Sequence, residues 1–96
     1  MLIAKVVGSA VATLKHDLLR TNKLLLVCPA DPAGNLKGEP FLAVDLVDAG
    51  AGEMVIVSQG SSARVAIGHN ASPADAAIIG ILDSLQVDEG IDIRKE

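Results

Sequence analysis

The sequence predicts a mainly β fold, a small closed or partly open barrel of five or six strands with one or two short helical turns. Three observations lead there. Apolar residues alternate with period two near the start, the pattern of a strand with one buried face. Short apolar runs recur along the chain with Gly, Pro, Asp and Asn between them. All of this must close within 96 residues, which is one domain, spanning residues 1–96.

In the first strand Leu2, Ala4, Val6, Gly8, Ala10, Ala12 and Leu14 fall on one side, and Lys5, Ser9 and Thr13 lie on the other. Gly8 is expected to mark a bend or bulge, the device by which a strand turns a corner in a small barrel. HDLLRTN reads as a polar loop. Lys23 to Cys28 (KLLLVC) forms a second strand with no polar face, so both faces need cover. PADPAGNLKGEP strings turn-forming residues together as a hairpin loop.

Phe41 to Val47 and Glu53 to Ser58 are the third and fourth strands. Ser61 to Ile67 suits a short helix, capped by Ser61 or Ser62 and ended by Gly68. SPADAA has the form of a second helical start, with Ser72 as cap, Pro73 in the first turn and Asp75 near the positive end. Ala77 to Val87 gives a fifth strand and Ile91 to Arg94 a sixth. Strands and helical turns in this number and order point to an OB-like barrel, all-β in the main.

Composition narrows the function. Half of the residues are hydrophobic, more than a barrel of this size hides by itself, so another molecule is expected to cover part of the surface. Twelve acidic residues against eight basic ones give a net charge of -4, and the longest basic run is Arg94-Lys95. Binding to nucleic acid or to an anionic membrane draws on clustered cations that are missing here. The single aromatic residue, Phe41, cannot form a base-stacking platform. Lone Cys28 excludes an internal disulfide and fits a reducing compartment such as the cytosol. Lys5 interrupts the apolar opening and no basic segment precedes it, which argues against a signal peptide; no run approaches the roughly 20 apolar residues of a membrane span.

Reactive side chains are few. His16 and His69 have no partner at ligand spacing, so neither a metal nor any other cofactor is expected. Cys28 lies among apolar neighbours and reads as core filling. GSSAR does not match the nucleophile elbow G-x-S-x-G, and Asp45, Glu53 and Asp83 are too scattered for an acid and base pair. No residue is expected to be catalytic. The start of the 61–67 helix, with Arg64, could hold an anion; an OB binding module for an anionic ligand or single-stranded nucleic acid is therefore the alternative function.

KVVG, KLLLV, DPAG, AVD, GAGEMV, GSSAR and PADAAIIGILD follow one another along the chain. In that order and spacing they resemble the EutN/CcmL family of bacterial microcompartment vertex proteins over essentially the entire chain. The most specific part is Ala49-Gly50-x-Gly52-Glu53 followed by Gly60-Ser61-Ser62-Ala63-Arg64. The resemblance implies a cyclic homopentamer of OB-like barrels with no enzymatic activity, in the shell of a cytoplasmic microcompartment, at five-fold corners among hexameric shell proteins.

Under that reading Gly50, Gly52 and Glu53 meet neighbouring shell tiles, because glycines let the chain turn tightly and another backbone approach. Ser61, Ser62 and Arg64 act at subunit or shell contacts, the plainer alternative being that Arg64 pairs with Glu53 inside one subunit. A closed ring needs a head-to-tail interface. The 23–28 strand and the mixed face of the first strand are candidates for it.

Overall fold

A computed structural model of the chain describes residues 1–10, 23–68 and 75–84. Five strands, β1 (Leu2–Ser9), β2 (Lys23–Pro29), β3 (Phe41–Asp45), β4 (Met54–Gln59) and β5 (Ala76–Ile81), form a closed barrel in the order β1-β2-β3-β5-β4. Among the described residues there is one helix, α1 (Ser61–Ile67), which follows β4 and precedes β5. The barrel closes where β4 pairs with β1; all pairings are antiparallel except the short parallel one between β3 and β5. This is the small OB-like barrel that the strand pattern predicts.

The period-two alternation determines what fills the barrel. Ala4 and Val6 of β1, Leu25 and Val27 of β2, Ala43 of β3, Val55 and Val57 of β4, and Ala76 and Ile78 of β5 point inward, and Phe41 packs against them. A narrow lumen favours these β-branched and small residues, and each buried Val or Ile contributes about 1.5–3 kcal/mol relative to exposure. On β2 the opposite face carries Leu24 and Leu26, half-buried, while Cys28 is buried with its thiol donating to the Gly38 carbonyl at 3.2 Å.

Two bulges bend the strands around the barrel. Val6 faces Val27 and Gly8 faces Leu26, so Val7 is an extra residue beside the predicted bend. In β5 the register shifts between Ile56 and Val57 of its partner strand, which leaves Ile79 as the extra residue.

The PADPAGNLKGEP segment joins antiparallel β2 and β3, as a hairpin loop should. Its folding centre is the Asp31 carboxylate, which accepts the backbone N–H groups of Ala33 and Asn35, both at 2.9 Å, and the Asn35 Nδ2 at 3.2 Å. These bonds, the Asn35 backbone N–H foremost, hold the carboxyl below its ordinary value.

Several predicted boundaries move. β3 ends at Asp45 instead of Val47, because the Asp45 carboxylate takes up the Val47 N–H and breaks the ladder. β4 begins at Met54: the Glu53 N–H bonds the Gly50 carbonyl in a tight turn. β5 begins at Ala76 and ends at Ile81. The helical start read from SPADAA is therefore overruled at its described end, since Ala76 and Ala77 are paired with β4 and the Asp75 carbonyl accepts the Gly60 N–H. Tertiary pairing outweighs the local cap signal there. Ser72, Pro73, His16, His69, the HDLLRTN loop, the far ends of the first and fifth predicted strands and the sixth strand lie outside the described residues.

Candidate assembly surfaces

The connection from β3 to β4 is a chain of anchored turns. The Asp45 side chain is fully buried and accepts N–H bonds from Val47 at 3.1 Å and from Ala49 at 3.0 Å and 3.2 Å to its two oxygens. Lys23 stands 3.4 Å from it and also donates to Asp48 at 3.0 Å. That contact with Asp48, reinforced by Asp45 and opposed by partial desolvation, raises the affinity of Lys23 for its proton. Ala49 then drops into the core.

Gly50 to Glu53 close the connection as one four-residue turn. The Glu53 N–H donates to the Gly50 carbonyl at 3.2 Å, and Gly52, third in the turn, has φ 83°. A positive φ at that position is the mark of a type II turn and the reason a glycine stands there. The Gly52 N–H donates to the Val6 carbonyl and the Val6 N–H to the Glu53 carbonyl, both at 2.9 Å, so the turn is stitched to β1. The Glu53 carboxylate reaches back to accept the Gly50 N–H at 2.5 Å. All four residues are exposed.

Helix α1 is built with far fewer ties. Its N-cap is Gly60, with φ 67° and no capping side chain, so Ser61 and Ser62 are not the caps that the sequence suggested. Gly60 occupies the cap position because its N–H must reach the Asp75 carbonyl at 2.8 Å, in a backbone conformation that glycine adopts freely. The two serines are the first two helical residues and are exposed. Gly68 does end the helix, its N–H donating to the Arg64 and Val65 carbonyls. α1 packs against β4 and β5 through Ala63, its single buried residue. Val65 is 68% exposed. Arg64 is half-buried and forms no ion pair among the described residues; the Arg64–Glu53 pair is not made, since Glu53 serves its own turn.

A third surface runs over the outside of β1, β2 and β3. Leu26 is paired with Leu42 on one side and Gly8 on the other, and Val7 bulges next to it. Leu42 is 49% and Val7 41% exposed. The two-sided apolar character of β2 foretold part of this strip. Leu42 and Val65 carried no sequence signal, because an outward apolar residue in a strand or helix differs from an inward one only by phase.

The site residues thus fall into separate groups, with Gly50, Gly52 and Glu53 in the stitched turn and Ser61, Ser62 and Arg64 on α1. Among the described residues no cluster of three or more His, Cys, Asp or Glu is placed to hold a metal ion. No helix among them is long and apolar enough to cross a membrane.

Comparison with known proteins adds the decisive observation. A family model described as "Ethanolamine utilisation protein EutN/carboxysome" matches residues 1–83. The chain belongs to the EutN/CcmL family. Among members of the EutN/CcmL family, it is 44% identical over 85 residues to the microcompartment shell vertex protein EutN of Escherichia coli K12, covering 88% of this chain and 90% of that one. It is 41% identical over 97 residues to the carboxysome shell vertex protein CcmL of Nostoc sp. PCC 7120, covering 100% and 96%. A solved EutN structure superposes with TM-score 0.84 at 43% identity, over 94% of this chain and 93% of that one. The GrpN pentameric microcompartment shell protein from Rhodospirillum rubrum superposes with TM-score 0.81 at 41% identity, over 92% and 100%.

Proposed function

We propose that five copies of this chain close into a ring that caps a vertex of a polyhedral microcompartment shell in the cytoplasm, a structural part and not an enzyme. The observation that carries this reading is the likeness to the pentameric GrpN shell protein over that protein's whole length. The physical reason for such a part is geometric. Hexagonal tiles alone extend as a flat sheet, and pentagonal units bring it to closure. Hexameric shell proteins are thus the expected neighbours.

The side-chain chemistry supports a structural role. Asp45 is committed to two backbone N–H groups and Glu53 to its own turn, and Cys28 is buried against a carbonyl. In this reading the exposed Gly50, Gly52 and Glu53 meet the neighbouring tile, and Ser61, Ser62 and Arg64 act at contacts between subunits. Native mass spectrometry is expected to show a species at five times the 9.8 kDa chain mass. Monomer alone throughout the micromolar range would overturn the proposal.

A further inference from the structure

We infer that the ring is joined by α1 of one copy docking, through Val65 and Arg64, on the apolar strip of Val7, Leu26 and Leu42 of the next copy. The inference rests on the pentameric reading above and names the two surfaces that realise it.

A closed ring uses two different patches of each subunit, placed on different sides of it. The barrel order provides them. β2 has β1 and β3 as neighbours, so β4 and β5 lie across the barrel from it. The strip centred on β2 and the helix seated on β4 and β5 therefore lie on different sides of the barrel. Each carries apolar side chains that the single chain leaves in water, Leu42 and Val7 on the strip and Val65 on the helix.

The charges complement one another as well. Arg64, next to Val65, brings a planar donor fork with no ion pair of its own among the described residues. The Asp48 side chain, 94% exposed at the Lys23 end of β2, takes the Lys23 ammonium on Oδ1 and offers its other carboxylate oxygen to a donor from outside the subunit. A second copy is the occupant that fits, because GrpN, alike over its full length, is a pentamer, and a ring of identical subunits must supply both faces from one sequence.

The test uses the full chain and two charge insertions, Val65→Asp and Leu42→Asp, each at an exposed position that leaves the barrel core untouched. An aspartate at the centre of the contact is expected to weaken it by more than about tenfold, and each variant runs as a folded monomer where the wild type is a pentamer. Mixed in equal amounts, the two variants still own one good helix and one good strip between them. They are expected to form a heterodimer and stop there. Pentamers that survive either substitution, or a mixture that stays monomeric, would overturn the assignment while leaving the vertex reading intact; a wild type that never assembles would remove the vertex reading itself.

Discussion

Residues 45–53 and residues 60–68 are both short glycine-bearing connections between barrel strands, yet they are held in opposite ways. In the first, the Asp45 carboxylate, the Glu53 carboxylate and the Val6 carbonyl accept the backbone N–H groups of Val47, Ala49, Gly50 and Gly52. In the second, glycine backbone caps both ends of α1, and the side chains of Ser61, Ser62 and Val65 are exposed. A segment saturated by its own bonds presents a fixed backbone shape. A segment whose side chains are unspent has them available for a neighbour. The same barrel thus separates an edge tied down by its own bonds from one with unspent side chains, the edge proposed to adhere to a neighbour, and mutations should divide between fold stability and assembly along that line.

The largest effect is expected at the base of the tied-down edge. Asp45→Ala removes the acceptor of the buried Ala49 N–H and of the part-buried Val47 N–H and should cost about 3 kcal/mol, at about 1–3 kcal/mol for each stranded group. Chemical denaturation reads this directly. A loss below about 0.5 kcal/mol would mean that the loop is held by something other than Asp45.

Next comes Gly52→Val. A β-branched residue at φ 83° is strained, at about 1–2 kcal/mol, but no neighbouring atom stands within 4 Å of the added Cβ, so the barrel should still fold and the pentamer still form. What should fail is joining to the shell, because the new side chain stands on the proposed tile contact. Co-expression with hexameric shell proteins tests it: shells that close with the variant at their corners would take the edge role away from this turn.

The contrast between the two connections also marks what was readable in advance. The strand alternation of Leu2, Ala4 and Val6 and the apolar run of β2 announced the barrel, since a side chain's phase along a strand is a local property. The stop at Asp45 was invisible because it depends on a carboxylate turning back to two N–H groups further on, and Asp in a strand gives no sign of doing so. Ser61 and Ser62 misled for a related reason: they are good caps by type, but the cap position was claimed by Gly60 once its N–H had to meet Asp75. GAGE and GSSAR were visible as motifs, whereas their separation into an anchored turn and an unspent helix arises only when β1, β4 and β5 are brought together.

Arg64→Ala should have the smallest effect on the fold and yet a clear one on assembly. With no ion pair among the described residues, its loss should leave the stability of the single barrel within about 0.5 kcal/mol. This is best measured in the Val65→Asp background, where assembly does not contribute to the melt. In the otherwise native chain the same change removes the charged fork from the contact between copies and should shift the pentamer towards monomer at low micromolar concentration. If the pentamer persists and only joining to hexamers is lost, Arg64 belongs to the outer edge with Gly52. If instead the barrel itself melts several degrees lower, the helix is bound to its own subunit more firmly than its side chains indicate, and the division between the two connections fails at this residue.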